Sequence, residues 1–482
     1  MLTKQDFLAA RHCAKRLWLE KNRPELRPPV GDAVRLRFKT GRLVGELARQ
    51  RWPHGRHMPP GNSPEHEHQA TMEALAQGAE VLFEPGLAAG GSHVRLDVLV
   101  RENQGFALIE VKQSTGRNPE AYVEDIAYQA LVASRSGLEI RRAALLCLNP
   151  AYTLQGEIDP RLLFQEIDLS EEVHKALPAI EEASLAYAKI ADGHVPAIEP
   201  GKHCTDCPFV PHCFASVPQD SLLYMPNVTT KKIIQFRNEG WETIPQLDRA
   251  ALSNRQALTF DAVLAQGTVT APGLQDELEK LAFPAAFVDF ETLSEAVPRI
   301  QGFPPFKQLP FQWSCHILRH AEAEPEHHEW LDDTGGDCRE EFVRTLALAL
   351  EGTATFVHYS AYEHTQLGYL SRDGVPGATK LAAAAKNTAF DLEAVVKGFV
   401  AHPGFQGRSS IKAVLPVLCP GLGYGKLEIA GGDAAQAAYA HAVMDAPPSE
   451  RERLRLALLA YCRMDTLAMV EIYRALLAHA KT

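Results

Sequence analysis

Two acids and a lysine are grouped in apolar surroundings in the first half of the chain. Arg95-Leu96-Asp97-Val98-Leu99-Val100 is followed by Ala107-Leu108-Ile109-Glu110-Val111-Lys112. Side chains at i and i+2 of a strand share one face, so Glu110 and Lys112 project together. Asp97, expected on the preceding strand, meets them across the sheet. Paired carboxylates hold Mg²⁺ or Mn²⁺ through oxygen. Such an ion activates water and offsets the charge that grows on a phosphate, and a lysine ammonium stabilises the same charge. An isolated Glu-x-Lys is common on surface strands. Glu110, however, ends an apolar run, where an unpaired ionised group is costly. Glu84 closes an earlier apolar strand and is a further metal-ligand candidate. Gln129 and Tyr128, on the helix after Lys112, are candidates to face the same cleft.

A second acidic set lies in the other half. Asp289 and Glu291 are i and i+2 in Phe287-Val288-Asp289-Phe290-Glu291-Thr292. Tyr461 and Asp465 are i and i+4 on a C-terminal helix and share a face. Between them, Val357-His358-Tyr359-Ser360-Ala361-Tyr362-Glu363 reads as a strand running into a helix. Asp289, Glu291, Glu363 and Asp465 converge in this reading and hold two metals, with Tyr461 orienting water. The third grouping is Cys13 with Cys204-Thr-Asp-Cys207-Pro-Phe-Val-Pro-His-Cys213. Four thiolates suit Zn²⁺ or an iron–sulfur cluster. Cys147, Cys315, Cys338, Cys419 and Cys462 lack such spacing and read as buried small residues.

Positioning these groups requires two α/β regions. Residues 1–56 read as helical with a break at Pro24, Pro28 and Pro29, and 57–68 as a loop. Strands are expected at 80–84, 93–100, 106–112 and 142–148, and helices at 119–136 and 169–191. Residues 216–280 read as a helical connector, with a faint likeness to a helix–hairpin–helix element. A second pattern starts at Phe283, with strands at 285–290, 312–318 and 354–358, a helix at 391–399, and a long helix or helix pair at 450–478. The domains are thus 1–215, 216–280 and 281–482.

The chain of 482 residues carries a net charge of −11. Residues 1–56 hold fourteen basic and five acidic side chains, so this stretch carries +9 and the rest −20. Arg35, Arg37, Lys39, Arg42, Arg49 and Arg51 cluster there, which suits phosphate binding or a solvated helix face equally. No apolar run is long enough to span a bilayer and no apolar leader opens the chain. A cytoplasmic location with reduced thiols is expected. No Walker phosphate loop is present, which argues against an ATP-driven helicase.

On these motifs, residues 1–215 resemble the RecB-type branch of the PD-(D/E)xK nucleases, in particular members with an iron–sulfur cluster, such as the AddB nuclease domain and CRISPR-associated adaptation nucleases. The opening Phe7-Leu8-Ala9-Ala10-Arg11-His12-Cys13-Ala14-Lys15-Arg16-Leu17-Trp18-Leu19 is similar as well. The resemblance implies metal binding by Asp97 and Glu110, catalysis by Lys112, and a [4Fe–4S] cluster rather than zinc on Cys13, Cys204, Cys207 and Cys213. Gln129 matches the glutamine of the family's Gln-x-x-x-Tyr motif, whose tyrosine position is Ala133 here. His54 and His93 are candidates for a family histidine ligand. Residues 283–482 resemble the DnaQ-like DEDDy 3′–5′ exonucleases, with Glu363 where that family usually has Asp. The order of the two halves resembles an uncharacterised bacterial and archaeal two-nuclease family, in which the stretch Gly407-Arg408-Ser409-Ser410-Ile411-Lys412 is also familiar. Lys412 is a phosphate-contact candidate or an ordinary surface lysine. The implied fold is a restriction-endonuclease-like mixed-sheet domain and an RNase H-like α/β domain joined by a helical segment. The implied activity is metal-dependent hydrolysis of phosphodiesters, with single-stranded or end-containing DNA as partner. Glu363 and Ala133 leave open an alternative, a nucleic-acid-binding scaffold with one or both centres inactive.

Overall fold

The computed structural model describes residues 1–198 and 200–481 and is mixed α/β. The chain divides into two units, one of residues 1–215 with 295–307 and one of 216–294 with 308–482.

The first unit contains strands β1 (Leu2–Thr3), β2 (Arg56–His57), β3 (Val81–Phe83), β4 (Gly86–Ala89), β5 (Ser92–Arg95), β6 (Val98–Glu102), β7 (Gly105–Lys112), β8 (Ile140–Leu148) and β9 (Phe164–Asp168). Its helices are α1 (Lys4–His12), α2 (Ala14–Asn22), α3 (Asp32–Arg49), α4 (Pro64–Ala76), α5 (Val123–Arg135), α6 (Pro160–Leu163), α7 (Ser170–Ala191) and α8 (Val210–Phe214). One mixed sheet has the order β2-β3-β6-β7-β8-β9, and a smaller one β1-β5-β4. β7 is central, antiparallel to β6 and parallel to β8. Its apolar run has no polar alternation because both faces are covered. Phe106 and Leu108 join one core with Ile126 and Ala130 of α5. Ala107 and Ile109 join another with Val44, Leu47 and Ala48 of α3. Leu108 is fully buried, so Leu108→Ala should cost about 2–5 kcal/mol. Glu110 continues the face of Leu108 and therefore points toward α5.

The second unit contains β10 (Val269–Thr270), β11 (Ala285–Ser294), β12 (Gln308–Leu318), β13 (Glu326–Leu331), β14 (Thr355–His358), β15 (Ala389–Asp391) and β16 (Val400–Ala401). Its helices are α9 (Thr230–Asn238), α10 (Asn254–Ala265), α11 (Leu274–Leu278), α12 (Arg339–Ala349), α13 (Tyr362–Arg372), α14 (Ala378–Asn387), α15 (Leu392–Phe399), α16 (Ile411–Leu418), α17 (Gly432–Met444) and α18 (Pro448–Ala480). The main sheet has the order β13-β12-β11-β14-β15. Its first three strands are antiparallel, and β14 and β15 run parallel to β11 and β14 respectively. Alternation along β11 sorts its residues. Ala286, Val288 and Phe290 pack with Phe342 of α12, while Ala285 and Phe287 pack with Met469 and Ile472 of α18. Asp289 and Glu291 share the face of Phe287, which places them under α18.

Several expectations need correction. The 57–68 segment is not all loop: α4 starts at Pro64 because Ser63 accepts the His66 N–H and proline fits the first turn. Of the two alternatives for the C-terminal pattern, the single long helix is the one found, as α18. Residues 216–280 cluster with the second unit instead of standing apart: Leu258 and Ala262 pack on Ala401, and β10 pairs with β16. Residues 295–307, which interrupt the β11–β12 hairpin, cluster with the first unit because Ala296 and Val297 complete its apolar core. Among the described residues, no helix is long and apolar enough to cross a membrane.

Candidate functional site

In the first unit Asp97 sits in a bend between β5 and β6, one step short of the strand expected to carry it. Its Oδ2 accepts the Val111 N–H at 2.7 Å, which fixes the carboxylate beside β7. Glu110 is only 1% exposed. Its Oε1 lies 2.6 Å from Lys112 Nζ and 2.7 Å from Lys4 Nζ. Its Oε2 accepts from Gln129 Nε2 at 2.8 Å. Asp125, one turn before Gln129 on α5, accepts from Lys112 at 2.8 Å and lies 3.4 Å from Lys4. Asp97, Glu110, Lys112 and Gln129 are thus brought together. Lys4 and Asp125 were missed. The i, i+4 pairing of Asp125 and Gln129 was a usable signal. Lys4 had none, because it arrives through β1, which pairs with β5 and ends at Thr3, the N-cap of α1.

Burial and the neighbouring Glu110 push Asp97 up to about 7. Burial opposes ionisation of Glu110 too, yet the two ammoniums win and hold it at about 2. Gln129 is fully buried and bound to carboxylates, so it orients Glu110 rather than facing an open cleft. Tyr128 stacks on Phe7 in the core and donates to the Leu2 carbonyl, so it is not a cleft residue. Glu84 donates its backbone N–H to the Asp97 carbonyl. Its carboxylate, however, lies 3.0 Å from Arg49, 3.4 Å from Arg95 and 3.6 Å from His57. Those cations, not the acids of the site, hold Glu84. His93 faces Glu67 at 2.9 Å, and His54 is exposed.

Cys13, Cys204, Cys207 and Cys213 line one recess with His12, Arg16 and His203. Cys13 lies at the junction of α1 and α2, and Cys213 lies on α8. The Gly201 N–H donates to Cys204 Sγ at 3.4 Å. Burial pushes the Cys207 and Cys213 thiols up, while Arg16 and Lys15 respectively pull them down. Of the other cysteines, Cys147, Cys315, Cys338 and Cys462 are buried and Cys419 is half-buried.

In the second unit, carboxylate oxygens of Asp289, Glu291 and Asp465 all lie within 4.8 Å of one another, a spacing that suits a metal ion. Among the described residues this is the one such group of three His, Cys, Asp or Glu side chains. Glu363, in the first turn of α13, is not a fourth member. Its Oε2 is buried with no hydrogen-bond partner, and the charge of Asp289 disfavours its ionisation. None of the four acids has an ion-pair partner among the described residues. Burial and mutual repulsion push Asp289, Glu291 and Glu363 well above the carboxylate range. Burial carries Asp465 to about 6, against the hydrogen bond from Tyr424 and the charge of Lys412.

Tyr461 lies one turn before Asp465 on α18, and Tyr424 was missed. It donates its hydroxyl proton to Asp465 Oδ1. Lys412 lies 5.3 Å from the Tyr424 ring centre and 5.4 Å from that of Tyr461. Its Nζ donates to the Ala430 carbonyl at 2.8 Å and to the Tyr461 oxygen at 3.4 Å. Lys412 stands beside the site and is itself exposed. Cys462 Sγ lies 3.6 Å from Asp289 Oδ2. Ser360 adopts φ 97°, a strained conformation for a residue with a side chain, at the point where β14 turns toward α13 and Glu363. Tyr359 donates to the Ser409 carbonyl outside the acidic cluster.

A family described as a domain of unknown function, DUF2779, matches residues 286–410. That stretch holds Asp289, Glu291 and Glu363 and ends before Lys412, Tyr424, Tyr461 and Asp465. No curated protein matches the chain. A solved structure described as "Crystal structure of SSO0001" is similar at 15% identity and a TM-score of 0.23, over 45% of this chain and 86% of that one. A likeness this weak carries no argument.

Proposed function

We propose that the chain is a metal-dependent nuclease of the cytoplasm that hydrolyses phosphodiester bonds of DNA at two centres. In this reading the first unit is restriction-endonuclease-like and RecB-related. The second is RNase H-like, a DnaQ-type 3′–5′ exonuclease, supported by its 3-2-1-4-5 strand order around β11. One observation carries the proposal: Asp289, Glu291 and Asp465 are gathered at one place with no ion pair among the described residues, and the nearby Lys412 charge only partly offsets them. Buried acids in that state are costly unless paired or metal-bound.

Asp289, Glu291 and Asp465 would hold Mg²⁺ or Mn²⁺ in the second unit, with Glu363 close by through Asp289. Asp97 and Glu110 would do so in the first. A divalent ion there activates water and offsets charge on the scissile phosphate. Tyr424 and Tyr461 orient Asp465, and Gln129 orients Glu110. Lys112 and Lys412 bring positive charge to each site. Cys13, Cys204, Cys207 and Cys213 line one recess, and four thiolates there would hold an iron–sulfur cluster or, as the alternative, zinc. A second reading applies to the first centre alone: both Glu110 oxygens are occupied, which favours binding without cleavage there.

The test uses end-labelled DNA and RNA with the whole purified chain in Mn²⁺ and in EDTA. Asp289→Asn and Glu110→Gln should each remove a different cleavage pattern. A parent protein that releases nothing from either polymer in Mn²⁺ would sink the nuclease reading.

A further inference from the structure

The chain breaks its helix at Cys13. The extended backbone there, φ −165° and ψ 123°, separates α1, which ends at His12, from α2, whose first turn carries Lys15 and Arg16. His12, Cys13, Lys15 and Arg16 all line the recess that also holds Cys204, Cys207 and Cys213. Among the described residues that line it, none is an acid. Cys13 is the N-cap of α2, where the positive end of a helix favours a thiolate. Arg16 and Lys15 act in the same sense on Cys207 and Cys213.

Two nitrogens of this wall are left over. His12 Nε2 and Arg16 Nε are buried atoms with no hydrogen-bond partner. Glu20 lies 3.7 Å from Arg16 Nε, too far for a hydrogen bond, and Asp206 acts on His12 through its charge. His203 differs, because its Nε2 meets Cys204 Sγ at 3.6 Å. A buried donor without an acceptor is costly. Two of them at one recess call for an occupant with acceptor atoms and negative charge. Zinc brings no acceptor beyond the thiolates that hold it. An iron–sulfur cluster brings inorganic sulfides as well, and hydrogen bonds to its sulfurs help to set its reduction potential.

We propose that His12 and Arg16 raise the reduction potential of a cluster held by the four cysteines: His12 Nε2–H and Arg16 Nε–H donate to its sulfurs and favour the electron-rich state. The inference rests on the iron–sulfur reading of these cysteines. It makes the group an acceptor of one electron rather than an inert clasp. In that step the iron is reduced and the electron comes from a one-electron donor, dithionite in vitro. No bond breaks and no proton moves. Neither residue is a ligand, since the thiolates fill that role, and each acts through the sulfurs.

The experiment uses the whole chain purified without oxygen. Iron, sulfide and zinc are measured first, and the midpoint potential is then read by titration with dithionite in the presence of redox dyes, followed by visible bleaching and EPR. His12→Leu should shift the midpoint to a more negative value at the parental iron and sulfide content. His12→Gln, which keeps an N–H, should move it back toward the parent. Arg16→Lys keeps the charge and removes the Nε donor, so it should also shift the midpoint down, by less than Arg16→Leu, which removes both. A role in folding alone would change the cluster content and leave the midpoint of the loaded fraction in place. Parental midpoints in the two leucine variants, with the cluster retained, would overturn the proposal. If the leucine variants do not load, Arg16→Lys decides, and a parental midpoint there overturns it. Protein that carries zinc and no sulfide would overturn the iron–sulfur reading and this proposal with it, whereas iron and sulfide with unmoved midpoints overturn this proposal alone.

Discussion

The Lys4 ammonium lies 2.7 Å from Oε1 of Glu110, across a sequence separation of 106 residues. It shares that oxygen with Lys112, so Glu110 is already neutralised where a divalent ion would sit with Asp97. Lys4 and a metal ion compete for the same carboxylate. Lys4→Met should tighten Mn²⁺ binding at this centre, read by calorimetry in an Asp289→Asn background that silences the other one. The same change should lower metal-free stability by about 1–3 kcal/mol, because a buried acceptor loses a charged donor. Weaker Mn²⁺ binding in Lys4→Met would contradict the competition.

The second centre has the opposite electrostatics. Asp465 is raised from 3.8 to about 6, so between those values the folded unit keeps a proton that the unfolded chain releases. Stability from this group is complete at low pH and is lost as pH rises through about 6. The difference in melting between the parent and Asp465→Asn should therefore change in favour of the variant from pH 4 to pH 7 in EDTA. Mn²⁺, binding the folded state, should restore the parent. A parent that gains stability over the variant across this window would count against the buried-acid description.

Tyr424 holds Asp465 by one hydroxyl. Tyr424→Phe keeps the ring beside Lys412 and removes only the donor. We expect Mn²⁺ affinity of the second centre to fall by about 10–100-fold, the usual cost of losing a group that orients a ligand. Equal affinity in parent and variant, measured by titration, would remove Tyr424 from the site.

Protein purified without oxygen should be brown and carry iron and sulfide if the four cysteines hold a cluster. Cys204→Ser should lose both and become less soluble, since metal binding and folding are linked. A colourless anaerobic preparation containing only zinc would refute the cluster.

The strands that carry the acids were legible in the sequence because those acids end apolar runs. Glu110 after Phe106–Ile109 and Asp289 after Ala285–Val288 are exceptions to a buried pattern, and period-two alternation gave their faces. Asp465 was found because Tyr461 and Asp465 keep helical spacing. Lys4, Asp125 and Tyr424 were missed, although Asp125 stands one turn from Gln129. Lys4 and Tyr424 reach their sites through tertiary packing: β1 on β5 for Lys4, the loop after α16 for Tyr424. No local pattern encodes such a return. Glu84 failed for the converse reason, since the arginines that claim its carboxylate come from α3 and β5.

Residues 295–307 give the chain a timing problem during synthesis. Ala296 and Val297 fill the first unit's core beside Ile109 and Leu148, and the Phe303 carbonyl accepts the Leu154 N–H. At ~5–20 residues per second, these residues leave the ribosome roughly 5–18 s after residue 215. Until then the first unit must wait with part of its interior open. A gene cut after residue 215 would make that wait permanent, and the other fragment would carry an apolar loop with nothing to fill. The two units share one birth, and separate expression should yield two poorly soluble halves.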